Sequence, residues 1–480
     1  MLAARTDQAQ ADYTEARMAH WDAVARQLDC LPGWSSVYHR RLAQVYASLV
    51  PRGQRVLEIG CGQGDLLAAL RPSFGLGVDF SSEMVRRAAR RHPGLRFLQA
   101  DVHTLDLDQQ FDAIVLSDVV NDLWDVEAAF RRLARVTSPH SRIVLNFYSR
   151  LWEAPLDLAR ELGLAKPLLL QNWLTVDDMR NLLQLADFEI TRQWDEMLLP
   201  VELPVLEPLA NRYLAHIWPF RIGDLTHFVV ARPSPRPRAH AEPLVSVVVP
   251  ARNEAGNIAD IFERTPEMGA ATELVFVEGH SRDDTFETIQ HEIGRHPERR
   301  TQLLKQTGSG KGDAVRLGFA HAHGEVLMIL DADLTVAPED LPRFYDALRA
   351  GKGEFINGVR LVYPMEKQAM RFLNLLGNKF FSLAFSWLLG QPIKDTLCGT
   401  KALLKADYER IAAQRAHFGD FDPFGDFDLL FGAARLNLKI VDMPIRYRER
   451  TYGTTNIRRW EHGWLLLRML VFAARRLKFI

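Results

Sequence analysis

Short apolar runs rich in β-branched residues alternate along most of this chain with longer segments whose apolar residues recur at helical spacing. In the first half the runs are RVLEIG, LGVDF, RFLQAD, FDAIVLSD and SRIVLNFYS. In the second half they are VSVVVP, ELVFVEG, TQLLKQ, VLMILDAD and EFINGVR. Brief runs of this kind, bounded by turn residues, read as buried strands. Strands that alternate with helices predict parallel sheets with crossover helices. The pattern lapses at PSPRPRAHAEP (233–243), which has no apolar periodicity and reads as an extended, solvated linker. THFVVARP (226–233) precedes it as a closing strand, and LVSVVVP (244–250) follows as an opening one. The expectation is an α/β chain of two domains, 1–232 and 244–480, joined by 233–243.

Composition changes this picture little. A chain of 480 residues exceeds one compact core, and 47% hydrophobic with 25% charged residues is ordinary for folded protein. A net charge of −1 provides no global basic field, so nucleic acid is not an expected partner. From Arg446 onward, however, nine Lys/Arg face two Glu, a local net of +7, which suits anionic headgroups or phosphate-bearing substrates. Cys30, Cys61 and Cys398 form no CxxC pair, so neither a zinc site nor a disulfide framework is expected, and reducing cytosol is the simplest compartment. The first residues, MLAARTDQAQADYTEARMAHWD, carry no apolar signal core. The most apolar stretch, FLNLLGNKFFSLAFSWLLG (372–390), holds Lys379 near its centre, which would cost about 3 kcal/mol in a spanning helix. That stretch and GWLLLRMLVFAARRLKFI read as amphipathic helices at a bilayer surface, or as core helices. A cytoplasmic chain, peripheral at the inner face of the cell membrane, is expected; nothing in the pattern sets an oligomeric state.

The first strand run leads into EIGCGQG, with Gly60, Gly62 and Gly64 ahead of the helical run DLLAAL. Glycine suits a sharp turn where backbone must approach a ligand. Asp79 ends the next run and can accept both hydroxyls of a ribose; Asp101 ends the third and can meet an adenine amino group. The string is GxGxG rather than the GxGxxG of dinucleotide sites, and Glu58 before it has no part in cradling a pyrophosphate. Glu58 through Gly64, Asp79 and Asp101 resemble the class I S-adenosylmethionine-dependent methyltransferases over about residues 40–232. The resemblance implies a Rossmann-like, seven-stranded sheet that binds S-adenosyl-L-methionine through Glu58, Gly60, Gly62, Gly64, Asp79, Asp101, Val102 and Ser117. It also implies methyl transfer in line from the sulfonium. The acceptor should lie beyond SDVVNDLWD (117–125) and under 152–174. Asp118, Asn121 and Asp122 are candidate polar groups there, or caps for the helix starting near Asp125. Cys61 reads as small packing.

In the second half PARNEAGNI follows a strand directly, VEGHSRDDT ends the next, and DAD (331–333) ends the run VLMIL. Two carboxylates one residue apart at a strand end suit a magnesium or manganese ion shared with a diphosphate, which neutralises a nucleoside-diphosphate leaving group. Asn257 or Glu254 is placed to cap the helix that follows. GSGKGDA is no ATPase phosphate loop, because Gly312 stands where Ser or Thr must follow Lys311. These motifs, with INGVR, DTLCGTKAL and PIRYRERTYGTTNI, resemble family-2 glycosyltransferases of the GT-A fold over nearly all of 244–460. Within them the chain is most similar to the polyprenyl-phosphate group, the dolichyl-phosphate mannose and glucose synthases. By that resemblance Glu254 and Glu278 contact the nucleoside, with Pro250, Arg252, Asn253 and Ala332 beside the nucleotide-sugar. Asp331 and Asp333 meet the metal–diphosphate, Asp333 as the metal ligand, and Lys311 meets the diphosphate. Arg360, Arg371 and Arg450 would contact phosphates of donor or acceptor. Glu278-Gly279-His280-Ser281 departs from the family's Asp-Asp-Gly-Ser, which leaves the base open. A lipid-phosphate acceptor is already anionic and needs no base. A hydroxyl acceptor needs a carboxylate, for which Asp395 and Asp426 are candidates, though each could equally pair with an Arg.

The two halves together imply a bifunctional enzyme. One half would transfer a sugar from a nucleotide-sugar to a lipid-linked acceptor, inverting at C1. The other would methylate a sugar, lipid or related intermediate. The alternative is a glycosyltransferase acting on a glycan or small-molecule hydroxyl, with the N-terminal half a non-catalytic S-adenosylmethionine-binding module.

Overall fold

In a computed structural model the described residues are 2–27, 36–161, 169, 171–235, 242–360, 372–415, 426–446, 450, 452 and 459–479. The chain divides into two compact units, Met1–Ser234 with Lys478–Ile480, and Pro235–Leu477.

The first unit opens with helices α1 (Leu2–Gln27) and α2 (Ser36–Leu49). Its strands are β1 (Arg55–Ile59), β2 (Phe74–Asp79), β3 (Arg96–Gln99), β4 (Phe111–Ser117), β5 (Thr137–Tyr148), β6 (Phe188–Glu196) and β7 (Thr226–Pro233), with α3 (Asp65–Leu70) and α4 (Ser82–Arg91) as early crossovers. They form one seven-stranded sheet in the order β3-β2-β1-β4-β5-β7-β6. The first five are parallel, whereas β7 runs antiparallel to both β5 and β6. Alternate residues of β1 feed opposite faces, as a pleated strand requires: Leu57 and Ile59 join one apolar cluster and Val56 the other. Both faces are therefore covered, which is why the parallel strands read as nearly continuous apolar runs.

The second unit contains β8 (Leu244–Ala251), β9 (Ala271–Glu278), β10 (Arg300–Lys305), β11 (Val326–Ile329), β12 (Phe355–Val359), β13 (Lys401–Leu404) and β14 (Ile440–Pro444). Their order is β10-β9-β8-β11-β13-β12-β14. The sheet is parallel from β10 to β11, but β13 is antiparallel to both β11 and β12. Each sheet has the expected parallel strands with crossover helices and adds antiparallel pairing through β7 or β13. The antiparallel strands β7 and β13 follow the helices Leu206–Arg212 and Phe372–Leu389.

The stretch around 372–390 forms the helix Phe372–Leu389, and the C-terminal stretch forms the helix Arg459–Leu477. No described helix is long and apolar enough to cross a membrane. Phe380 and Leu383 on the first, and Trp464 and Val471 on the second, are exposed.

Candidate functional sites

In the first sheet, the chain leaves β1 toward β2 on one side, while β4 lies on the other. The carboxyl ends of β1 and β4 therefore flank a crevice at the point where the strand order reverses. Gly60 turns the chain there with φ +69°, and a Cβ on it would meet Val119 Cγ2 at 2.8 Å, so the turn tolerates only glycine. The amides of Gly62 and Ser81 donate to Asp79, one to each oxygen at 2.9 Å. These bonds aim a carboxylate that is only 8% exposed, and burial pushes its pKa up. His103 Nδ1 lies 2.6 Å from Asp101 Oδ1. Burial raises Asp101, but the bonds from His103 outweigh it and hold that carboxyl below its usual range.

A cavity opens at this crevice, lined by Gly60, Asp79, Asp101 and Val102 together with residues the motifs did not indicate. Tyr13 and Arg17 of α1 and Trp124 beyond β4 form one wall. The Arg17 guanidinium sits 3.7 Å from the Tyr13 ring centre and 3.7 Å from Asp122, and the Tyr13 and Trp124 rings are 5.0 Å apart. The signal for this wall was the spacing of Tyr13 and Arg17 one turn apart on a long helix, hidden in a segment that reads as polar. Gly62 and Gly64 belong to the turn and Ser117 to the end of β4; none of the three is in the lining. Glu58 also does not line the cavity. It is 2% exposed, and burial drives its pKa well up against a backbone hydrogen bond from Leu67 in α3. It lies just before the glycine turn and accepts from the backbone of Leu67.

Of the other polar groups near this site, Asp125 is the helix cap, accepting from Ala128 N at 2.9 Å. Asn121 donates to the Asn172 carbonyl at 2.7 Å, and Asp122 pairs with Arg17. Asp118 does neither; it accepts from Tyr38 and Asn146.

In the second unit the reversal point falls between β8 and β11, and both acidic motifs emerge there. Asp331 and Asp333 follow β11, and Glu254 follows β8. Lys311, at the start of the helix Lys311–His321, reaches Asp331 Oδ1 at 2.6 Å. Burial would raise Asp331, but Lys311, Lys401 and Arg360 together hold it below its usual range. Arg450 spans two carboxylates, 2.6 Å from Asp333 Oδ2 and 3.2 Å from Glu254 Oε1. Asp333 Oδ1 accepts from Thr335 N and Oγ1. Burial pushes Glu254 up to about 7 despite Arg450. Asn257 spends its side-chain amide on Glu254 Oε2 at 2.8 Å, so neither residue caps the following helix as the sequence suggested.

The remaining residues divide. Glu278 accepts from Ser281 N at 2.5 Å, and Asn253 Oδ1 accepts from Arg282 N at 2.7 Å. Pro250 lies in β8 and is half-buried, Ala332 is buried between the two aspartates, and Arg252 is exposed. Arg360 grips Asp395 through two bonds, Nε to Oδ2 at 2.7 Å and Nη2 to Oδ1 at 2.9 Å. Asp395 is 0% exposed and, though burial raises it, Arg360 holds its pKa below the ordinary range. It is paired with Arg360, and two of that arginine's nitrogens are already committed. Asp426 begins the helix Asp426–Arg435. Arg371 lies outside the described residues, as does Cys30. Two site residues escaped the sequence reading. Lys401 is fully buried and donates to the Cys398 carbonyl at 2.5 Å. Gly399 lies so close that a Cβ there would stand 2.6 Å from Asp331 Oδ1, and nearer still to Lys311 Nζ and Asp331 Oδ2. Asn253, His280 and Leu334 all carry positive φ at these strand ends, as Asp118 does in the first unit. Such strain gathers where structure over-determines a functional loop.

Among the described residues no three His, Cys, Asp or Glu side chains gather as a metal cage. The donors at the end of β11 are carboxylate oxygens alone, faced by Lys311 and Arg450, which suits a hard cation that brings further oxygens from a ligand and water.

Comparison with known proteins agrees with the two folds. A family described as "Methyltransferase domain" matches residues 56–140, and "Glycosyl transferase family 2" matches residues 246–410. Glycosyltransferase AglJ of Haloferax volcanii is 30% identical over 215 residues, which are 44% of this chain and 66% of that protein. An undecaprenyl-phosphate 4-deoxy-4-formamido-L-arabinose transferase of Pseudomonas aeruginosa is 30% identical over 214 residues, 44% of this chain and 59% of that protein. A dolichol-phosphate mannosyltransferase of Pyrococcus furiosus is 28% identical over 220 residues, 45% of this chain and 59% of that protein. The chain spans about two thirds or less of the length of these curated relatives. It joins a methyltransferase domain to a family 2 glycosyltransferase domain, two transferase folds in one polypeptide.

Proposed function

We propose that the second unit transfers a sugar from a nucleotide-sugar to a polyprenyl-phosphate acceptor at a membrane surface, with inversion at C1, and that the first unit transfers a methyl group from S-adenosyl-L-methionine. The domain limits of the proposal are 1–232 and 244–480. The observation that carries it is the pair Asp331 and Asp333 at the end of β11, each already opposed by a cation, Lys311 and Arg450. In the absence of ligand these cations neutralise the carboxylates. With donor bound, Asp333 would hold magnesium or manganese, which supplies charge neutralisation at the departing diphosphate. Lys311 and Arg450 would then turn to the phosphates, and Glu254 and Glu278 to the nucleoside.

The state of Asp395 favours an acceptor that is already anionic. A buried carboxylate locked to Arg360 cannot take a proton from a hydroxyl, whereas a phosphate oxygen attacks without one. The relatives named for undecaprenyl phosphate and dolichol phosphate support the same acceptor class. Exposed Phe380, Leu383 and Trp464, with the basic C-terminal stretch, support peripheral attachment to an anionic bilayer, and the cytoplasmic inner face is the proposed location. In the first unit Asp79 would take the ribose hydroxyls and Asp101 the adenine end, with Tyr13 and Trp124 closing over the cofactor. Incubation with UDP-, GDP- and dTDP-sugars plus manganese, with and without undecaprenyl phosphate, tests the glycosyl reading. Consumption of one donor only when prenyl phosphate is present is expected; no consumption of any donor under either condition would sink it.

A further inference from the structure

Asp118 ends up in an unusual position. It stands one residue past β4, at the reversal point of the first sheet, with φ +55°. Its neighbour Val119 lines the methyl-donor cavity and packs on Gly60. Tyr38 Oη and Asn146 Nδ2 both donate to one oxygen, Oδ1, each at 2.6 Å. Asn146 is itself fully buried and held: Tyr46 Oη donates to its Oδ1 at 2.8 Å, and its Nδ2 also reaches Thr226 Oγ1 at 3.0 Å. Oδ2 of Asp118 accepts no hydrogen bond from the described residues, and the residue is only partly covered. Around it the Tyr38 and Tyr148 rings lie 6.1 Å apart, and Tyr148 is 6.5 Å from Trp173, which gives an aromatic wall.

Two donors gripping one oxygen fix the carboxylate plane and leave the other without a donor among the described residues, on the residue next in sequence to Val119 of the cavity lining. From this geometry we propose that Asp118 is the general base of the first unit and that the methyl acceptor presents a hydroxyl. The inference rests on the methyl-transfer reading of that unit. The acceptor oxygen forms its bond to the methyl carbon as the carbon–sulfur bond breaks. The bonding pair stays on sulfur, the positive charge is lost, and the hydroxyl proton passes to Oδ2 of Asp118, which later releases it to water. A neutral amine attacks with its own lone pair and sheds its proton afterwards, so it has less need of this arrangement; a hydroxyl is too weak a nucleophile without it. Tyr38 and Asn146 are positioning residues.

Burial pushes Asp118 up to about 6, with the Tyr38 and Asn146 bonds pulling against it and Asp122 adding to it. Tyr46 of α2 also faces it, and Tyr148 of β5 lies against Tyr38. A proton acceptor that titrates just below neutrality is well matched to this task.

The test uses the full chain. Carbon-13 NMR of carboxyl-labelled, ligand-free protein follows the Asp118 signal, identified by its loss in Asp118→Asn. It is expected to titrate near pH 6, and higher in Tyr38→Phe. Calorimetry with S-adenosylhomocysteine is expected to give the same affinity in wild type and Asp118→Asn within about twofold. Transfer from tritiated S-adenosylmethionine to a panel of nucleotide-sugars and prenyl-phosphate sugars should fall about 100-fold or more in Asp118→Asn, with partial recovery in Asp118→Glu. The acid limb of the wild-type pH profile near pH 6 should also disappear. An Asp118 signal titrating at or below pH 4, unchanged transfer in Asp118→Asn, or a tenfold loss of S-adenosylhomocysteine affinity in that variant would overturn the assignment. If no acceptor in the panel is methylated, the NMR titration decides alone. Failure of the wild type to bind S-adenosylhomocysteine at all would instead remove the methyl-transfer reading on which the inference stands.

Discussion

Gly399→Ala probes the second site at its tightest point. Glycine is needed there for close approach, not for an unusual φ: a methyl would stand 2.6 Å from Asp331 Oδ1 and closer to Lys311 Nζ. The lysine end can swing away, but Asp331 sits on a short side chain with the next residue, Ala332, buried at 3%. Relief therefore comes by parting the 2.6 Å pair of Lys311 and Asp331. Stretching a half-screened ion pair from that separation to about 4 Å costs about 2 kcal/mol at an effective dielectric of about 20. Overpacking of a tight site costs a similar amount, about 1–3 kcal/mol. The ion-pair cost falls on the ligand-free state, since Lys311 is proposed to leave Asp331 for the diphosphate; the crowding of about 1–3 kcal/mol persists in the bound state and should appear as on the order of 10-fold weaker nucleotide-sugar binding. Calorimetric titration with the UDP-, GDP- or dTDP-sugar that the wild type consumes, in manganese, measures it. S-adenosylhomocysteine binding on the same sample serves as the folding control. Wild-type affinity in Gly399→Ala would refute the placement of Lys311 and Asp331 at the diphosphate.

Asp333→Asn should abolish sugar transfer while leaving S-adenosylhomocysteine binding intact, and Asp79→Ala should do the reverse; radiolabel transfer and calorimetry on both variants check this. Tyr13→Ala, which opens one wall of the first cavity, should weaken S-adenosylhomocysteine about tenfold, read by the same calorimetry. Asp224 is 1% exposed with neither oxygen hydrogen-bonded among the described residues, and burial pushes it up to about 9 from 3.8. The folded state holds that proton more tightly than the unfolded chain, so stability is lost as pH climbs from about 4 toward 9, on the order of 4 kcal/mol by pH 7. Asp224→Asn should flatten that limb in denaturant melts of the first unit at pH 5 and pH 8; a parallel pH dependence in wild type and variant would contradict the assignment.

The parts of the fold that could be read in advance are those where strand pattern and chemistry coincide. Asp79, Asp101, Asp331 and Asp333 each end a buried apolar run, so strand position alone put them at a sheet rim. Glu58 differs in that it precedes the strand end. In a pleat of period two it falls on the opposite side from Leu57 and Ile59, and there it meets the Leu67 amide. β6, FEITRQWDE, is a polar, alternating edge strand, and β13 and β14 are four and five residues long. None of the three stands out as an apolar run, so these strands were not legible, whereas the antiparallel β7 was. Asp395 could be a base or an arginine partner on sequence grounds. Only the fold, which brings Arg360 across 35 positions onto both oxygens, shows the pairing. Tyr13 and Arg17 were missed because a helix that supplies one wall of a cavity needs no apolar stripe to announce it.

The central claim is that one polypeptide holds two separate ligand sites, one for a sulfonium cofactor and one for a metal-bound sugar nucleotide. The most direct measurement is a sequential calorimetric titration of a single sample, first with S-adenosylhomocysteine, then with a nucleotide-sugar and manganese, repeated in the opposite order. The account predicts one equivalent of each, with affinities independent of order. Binding of either ligand that excludes the other, or the absence of binding by both, would contradict it.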